Sequence, residues 1–369
     1  MTETSGPDER VRMALVGCGA ISPMHLYGLE QSGAPIDIVA AVDPDPERAR
    51  ATAEATGAAA FGSLDEARAG VELDAVDLML PHHLHEEVAV QCFEAGLNVL
   101  LEKPLAPTLE ACERILAAAA AAGTVFMVAE NAQYWPEVLA VAAELEDGTI
   151  GEVVTARAAT FFPPLPDFYG EPGAGNETGS AGSAGSAGSQ GPAGAEPAER
   201  PWRFDQEVAG GGIAMDTGSH WLRPLHMWLG RSTETVAALG HPFPGMESES
   251  LVRSLIRFDS GVVASFDALL TAAPVAPEPL FKVTGTDGEL TIDASGTVTR
   301  YRSGERRGQV VAEFDGYLGS YAGQFSDFAA AVLGGRSPAA GADAALGELR
   351  CALAMYRSAE SGRWEPVWP

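Results

Sequence analysis

Along the first 130 residues, short apolar runs alternate with stretches of helical spacing. The runs at 12–16, 36–42, 58–61, 75–80, 98–101 and 125–129 are nearly continuous in apolar residues and predict strands buried on both faces. The stretches between them, at 20–31, 46–56, 85–95 and 109–122, predict helices, and Gly57 and Gly96 stand where a left-handed cap would end two of them. Regular β-α alternation predicts a doubly wound parallel sheet, a Rossmann-type nucleotide domain over 11–130.

Beyond residue 130 the period changes. Strand-like segments follow one another at 153–162, 234–241, 251–258, 262–270, 279–285, 288–294, 297–302 and 308–314, separated by turn signals such as Asp259-Ser260-Gly261 and Asp287-Gly288. Helical stretches at 319–333 and 342–360 follow. The expectation for 131–369 is an α+β domain built on a large, mostly antiparallel open sheet. Two segments fall outside this pattern. Residues 1–10 are expected to be a flexible N-terminus. In 171–199, Gly-Ser-Ala occurs three times in tandem from Gly179 without one large apolar side chain, so a disordered surface loop is expected.

Composition narrows the function classes. Apolar residues make up 46% of the 369, enough for a sizeable core. Fifty-one acidic against 23 basic residues give a formal charge of −28, which repels phosphate backbones and anionic headgroups. Neither nucleic acid nor a membrane surface is therefore an expected partner. No apolar run approaches the roughly 18 residues of a membrane span. The start MTETSGPDER lacks the basic and apolar regions of a signal peptide. Four cysteines lie far apart with no CxxC pair. A reduced, cytoplasmic protein is the expectation. Only Lys103 and Lys282 among the basic residues are lysines, so a lysine here is expected to do what an arginine cannot.

Three motifs carry chemistry. Val16-Gly17-Cys18-Gly19-Ala20-Ile21-Ser22 follows a strand and opens a helix. Gly17 permits the tight turn, Gly19 lets a pyrophosphate approach the backbone, and Ala20 and Ile21 begin the helix that faces it. Ser22 replaces the usual third Gly or Ala. Asp43 ends the next strand, 26 residues after Gly17, where a carboxylate can hold ribose hydroxyls and repel a 2′-phosphate. NAD rather than NADP is the expected cofactor. The plainer reading of Asp43 is an Asp-Pro turn capping the next helix. Second, Glu102-Lys103-Pro104 ends a strand, on the ligand side of such a sheet. Third, Gly210-Gly211-Gly212 leads into Asp216 and His220, four apart, so a helix would set both on one face. With a lysine from another element they would form a proton-transfer site for an alcohol. A capping or buried polar pair is the plainer reading. Pro224 is expected to kink or end that helix. His82, His83 and His85 lack metal-ligand spacing, and no metal is expected.

Together these motifs resemble the Gfo/Idh/MocA oxidoreductase family, which includes inositol 2-dehydrogenase and glucose–fructose oxidoreductase. The resemblance implies that Lys103, Asp216 and His220 are catalytic. It also implies that Pro81, His82 and His85 run beside the cofactor with Glu102, that Trp202 and Arg203 lie near cofactor and substrate, and that His25 is structural. Many relatives carry an arginine within the stretch Asn131–Trp135, and this chain does not. Tyr134 and Trp135 could stack on a sugar ring or pack between domains, and Thr217 is a further candidate substrate contact. The implied reaction is a reversible, NAD-linked oxidation of one secondary hydroxyl of a sugar, sugar derivative or cyclitol. In it His220 acts as base, Lys103 stabilises the alkoxide, and Asp216 orients the histidine or the lysine. The alternatives are transient oxidation within a glycosidase, epimerase or lyase, and a non-catalytic NAD-binding sensor. A homodimer or homotetramer, assembled through the open sheet face, is expected.

Overall fold

The computed structural model describes residues 9–169, 201–314 and 319–369. The expected flexible start through residue 8 and the expected loop over 171–199 lie outside the described residues.

Among the described residues, six parallel strands form the first sheet in the order β3-β2-β1-β4-β5-β6. They are β1 (Val11–Val16), β2 (Ile36–Val42), β3 (Ala59–Phe61), β4 (Ala75–Leu78), β5 (Asn98–Glu102) and β6 (Phe126–Ala129). Val76, Leu78, Val99, Leu100 and Leu101 are wholly buried, as a sheet covered on both faces requires. The connecting helices are α1 (Ser22–Ser32), α2 (Pro46–Thr56), α3 (Leu64–Gly70), α4 (His85–Glu94) and α5 (Leu109–Ala122). Gly57 and Gly96 both take a positive φ of 74° after their helices. The strand order reverses between β1 and β4, and that switch point opens a crevice at the strand C-termini.

The second half contributes α6 (Pro136–Glu146), β7 (Val153–Phe162), the turns α7 (Pro166–Tyr169), α8 (Gln206–Ala209) and α9 (Ile213–Asp216), and α10 (Gly218–Leu229). Then come β8 (Ser232–Gly240), β9 (Leu251–Phe258), β10 (Val263–Leu270), β11 (Phe281–Gly285), β12 (Gly288–Ile292), β13 (Val298–Arg302) and β14 (Gln309–Ala312). The chain closes with α11 (Gly319–Gly334), α12 (Ala342–Ser361) and β15 (Glu365–Pro366). Nine of these strands form a sheet in the order β14-β13-β12-β11-β7-β10-β9-β8-β15, in which β7 and β10 run parallel and every other pair is antiparallel. Val252, Ile256 and Phe258 of β9 point inward to a core shared with Leu222 and Leu225 of α10. On the opposite face Val154, Leu255 and Val263 are exposed.

α10 runs through Pro224 and ends five residues later at Leu229. The closing helices return to the first sheet. Phe325 and Phe328 of α11 join Val11, Met13 and Leu100 in one core, and Leu349 of α12 packs with the first sheet's other face. Gly28 of α1 allows this approach, since a Cβ there would stand 2.2 Å from the Tyr321 Cβ.

Candidate active site

Gly17 turns the chain out of β1 at a φ of 95°, and a Cβ there would lie 2.2 Å from the Met79 carbonyl oxygen at the end of β4. Only glycine fits, so the turn lies flat across the switch point. Space around Gly19 is open, Ala20 is exposed and Ile21 caps α1, which leaves backbone and helix N-terminus accessible to a diphosphate. Ser22 is buried and donates its hydroxyl to the Gly19 carbonyl at 2.8 Å, closing the turn from within. Asp43 accepts the Cys18 N–H at 2.8 Å and the Asp45 N–H at 2.9 Å, fastening the end of β2 to the turn. Asp45, not Asp43, caps α2, with its side chain accepting the N–H groups of Glu47 and Arg48. Turn, helix terminus and carboxylate together fit an adenine dinucleotide with free ribose hydroxyls.

At the end of β5 the Lys103–Pro104 peptide is cis. The Lys103 ammonium donates to the Asp216 carbonyl at 2.5 Å and reaches Asp216 Oδ1 at 3.4 Å. Burial works against its charge, but Asp216 and Glu102 outweigh burial and raise its pKa, so it stays an ammonium. The Asp216 carboxylate has three donors around it, Lys103, Tyr169 and Arg203. Its Oδ2 accepts from the Tyr169 hydroxyl at 3.0 Å and from Arg203 Nε at 3.1 Å, and His82 Nε2 stands 3.6 Å from Oδ1. Burial would raise its pKa, yet Lys103 and Arg203 hold it far below the usual carboxylate range. Asp216 is therefore a fixed anion rather than a base.

The expected helical pairing of Asp216 with His220 does not occur. α9 ends at Asp216, Thr217 intervenes at φ −105°, and α10 starts afresh at Gly218. The two side chains part: Asp216 holds Lys103, while His220 Nδ1 meets Glu130 Oε1 at 2.6 Å. Glu130 follows β6 and is wholly buried. Its mark in the sequence is a carboxylate directly after an apolar strand. Burial pushes Glu130 up, but the charge and hydrogen bond of His220, with Arg223 beyond, hold it at about 2.

Other expected site residues face inward. Glu102 accepts His25 Nε2 at 2.8 Å and the Lys103 N–H at 3.1 Å, and His25 Nδ1 bonds Asp77 at 2.8 Å. Burial alone would lower the His25 pKa. Asp77 and Glu102 instead raise it to about 10. His85 is buried between the carbonyls of Pro104, 3.0 Å away, and Leu80, 2.9 Å away, and braces the cis peptide. His82 faces the Ala209 carbonyl at 2.7 Å, and burial lowers its pKa to about 3. Glu102, His82 and His85 thus support the crevice wall through protein contacts. Pro81 is partly exposed at the crevice, as are Trp202, edge-on to His82, and Arg203, whose guanidinium lies 4.3 Å from the Trp202 ring.

Tyr134 donates to Asp327 of α11 at 2.7 Å, and Trp135 is buried among His220, Trp221 and Phe281. Both pack between elements. Thr217 is partly exposed and donates back to the Ile213 carbonyl at 2.8 Å. The glycine run serves neighbours rather than a ligand. A Cβ on Gly212 would stand 1.9 Å from the Glu249 carbonyl oxygen, and the Glu249 carboxylate accepts the N–H groups of Gly212 and Ala214, anchoring α9. Among the described residues no group of three His, Cys, Asp or Glu could hold a metal ion. No helix among them is long and apolar enough to cross a membrane.

Comparison with known proteins agrees with this geometry. The chain matches the family model for the NAD-binding Rossmann fold of an oxidoreductase family over residues 11–130, and the model for that family's C-terminal alpha/beta domain over 190–367. A 1,5-anhydro-D-fructose reductase from Ensifer adhaerens is 27% identical over 95% of this chain and 97% of its own length. A D-apiose dehydrogenase from Paraburkholderia graminis is 29% identical over 80% of this chain and 70% of its own. A levoglucosan dehydrogenase solved with NADH and levoglucosan superposes with a TM-score of 0.82 at 20% identity, covering 98% of this chain and 100% of that one. With both domain models matched in order and the turn, lysine and histidine gathered at one crevice, the chain belongs to the Gfo/Idh/MocA oxidoreductase family.

Proposed function

We propose that this protein is an NAD-linked dehydrogenase that reversibly oxidises one secondary hydroxyl of a sugar, sugar derivative or cyclitol. The observation that carries the reading is the division of labour at the crevice: a lysine kept cationic by a buried aspartate, and a histidine supported separately on another element. The anhydrofructose reductase and apiose dehydrogenase relatives support the sugar class. Gly17, Gly19, Ala20, Ile21 and Asp43 would hold the dinucleotide, which supplies the hydride acceptor when bound.

The chain's own residues do the rest. His220 takes the hydroxyl proton as general base. Lys103 has three N–H donors, of which Asp216 occupies two, leaving one for the substrate oxygen as alkoxide charge develops. Asp216 fixes the ammonium in place, with Arg203 and Tyr169 balancing and locating it. Pro81, Trp202, Arg203 and Thr217 line the approach. The test is NADH formation from NAD and a panel of aldoses, anhydrosugars and inositols. Lys103→Met should lower kcat at saturating substrate by about a hundredfold or more, in line with the loss of one oxyanion donor. Unchanged turnover in that variant would refute the role.

Assembly and compartment belong to the same reading. The exposed Val154, Leu255 and Val263 on the uncovered sheet face support a homodimer, or a homotetramer, through that face. Four free, buried cysteines support the cytoplasm.

A further inference from the structure

We infer that Glu130 is the positioning residue that makes His220 a base, by accepting the hydrogen bond of Nδ1–H so that Nε2 is the unprotonated nitrogen of the neutral ring. The inference rests on the proposed dehydrogenase role of His220. An ionised carboxylate only accepts hydrogen bonds, so the 2.6 Å contact from Glu130 Oε1 to Nδ1 places the imidazole proton on that nitrogen. The same oxygen accepts the Ala132 N–H at 2.9 Å, which fixes the carboxylate against rotation. Glu130 is wholly buried, so its charge acts in a low-dielectric setting.

The surroundings keep this dyad in its working state. Arg223, on the same helix as His220 and one turn further on, is buried and always charged. It is clamped by Glu348 of α12 and by Gln133, whose Oε1 accepts Nη1 at 3.1 Å. Arg223 thereby gives Glu130 a positive neighbour that does not compete for the His220 hydrogen bond. Trp135 lies along the imidazole, with ring centroids 6.2 Å apart and planes 31° apart, and limits its tilt. The charged groups around the dyad are Glu102 at the end of β5, Asp216 on α9 with Lys103 and Arg203 paired to it, Arg223 on α10 and Glu348 on α12. None of them replaces the contact of Glu130 with Nδ1. When Nε2 accepts the substrate proton, the imidazolium forms against a carboxylate already in place.

The experiment uses the whole protein labelled with 15N-histidine. His220 signals are assigned by their loss in His220→Ala, and the nitrogen that carries the proton of the neutral ring is read from them in wild type and Glu130→Gln. In wild type the neutral ring should carry its proton on Nδ1. In Glu130→Gln, whose amide can donate as well as accept, the preference for Nδ1–H should be lost and both tautomers should appear. NAD affinity, read by fluorescence quenching, should stay unchanged. On a sugar that is turned over, kcat should drop by ~10–100-fold with KM little altered. Adding Glu130→Gln to His220→Ala should cost nothing further. A proton on Nε2 in wild type, or an unchanged Nδ1–H tautomer in a folded Glu130→Gln, overturns the inference. Glu130→Asp, which retracts the carboxylate by one methylene, gives the same reading should the glutamine variant not fold. If no sugar is oxidised, the dehydrogenase reading fails while the ring signals still decide the role of Glu130.

Discussion

His25 shows how single residues hold the crevice together. It is wholly buried between Asp77 and Glu102, 2.8 Å from each, with the Tyr321 and Phe325 rings beside it. Removing the imidazolium would leave two carboxylates facing each other in the core. His25→Gln should therefore lower the unfolding free energy by about 3–5 kcal/mol, measured in urea. Because the folded pKa of about 10 lies above the unfolded value, this contribution is fully present below about pH 6.5. It is then lost as pH rises toward 10, at about 1.4 kcal/mol per pH unit. A wild-type minus variant difference that grows with pH over that window would contradict the assignment. Asp43 carries a second prediction at this scale. Asp43→Ala should move the NADP-to-NAD affinity ratio toward NADP on the order of tenfold, as relief of one repulsive charge contact implies. Competitive binding of the two cofactors reads the ratio. At this scale much was legible in sequence: Gly17, Asp43, Lys103, Asp216 and His220 were each marked by residue type and position. Glu130 and Tyr169 were not, because their significance lies in partners 90 and 47 residues away.

The elements explain why those residues meet where they do. β5 delivers Lys103 and α9 delivers Asp216, and the Glu249 carboxylate pins α9 by accepting two of its N-terminal N–H groups. A helix of four residues has little stability of its own, so this anchor sets its place. Gly212→Ala would press a Cβ to 1.9 Å of the Glu249 carbonyl oxygen. That substitution should cost about 1–3 kcal/mol of stability and displace Asp216, visible as lost denaturant resistance together with reduced turnover. A Gly212→Ala protein of unchanged stability and rate would contradict the anchoring role. The break between α9 and α10 was invisible to spacing arguments, since positions four apart read as one helical face until Thr217 and the anchor interrupt it. The short α3 was also passed over, though Ser63 accepting the Glu66 N–H at 3.3 Å, with Glu66 reaching back to the Gly62 N–H, is a capping pattern present in the sequence.

At the scale of the whole molecule, the change of hydrophobic period near residue 130 separated the two sheets correctly, because burial on both faces and burial on one face leave different patterns. The period could not show that α11 and α12 return to the first sheet, since an apolar helix stripe does not say which partner it covers. The uncovered face of the second sheet carries its own prediction. Leu255→Glu with Val263→Glu should convert a dimer or tetramer to a smaller species in sedimentation equilibrium, with NAD affinity unchanged. A wild-type monomer would remove the proposed interface.

The most direct measurement is NADH absorbance during incubation of the purified protein with NAD and a panel of sugars, anhydrosugars and cyclitols, alongside Lys103→Met and His220→Ala. NADH should accumulate with at least one polyol, and both variants should abolish the signal while still binding NAD. Turnover undiminished in both variants would contradict the placement of the chemistry at Lys103 and His220, and a protein that binds no NAD would contradict the reading from its first motif onward.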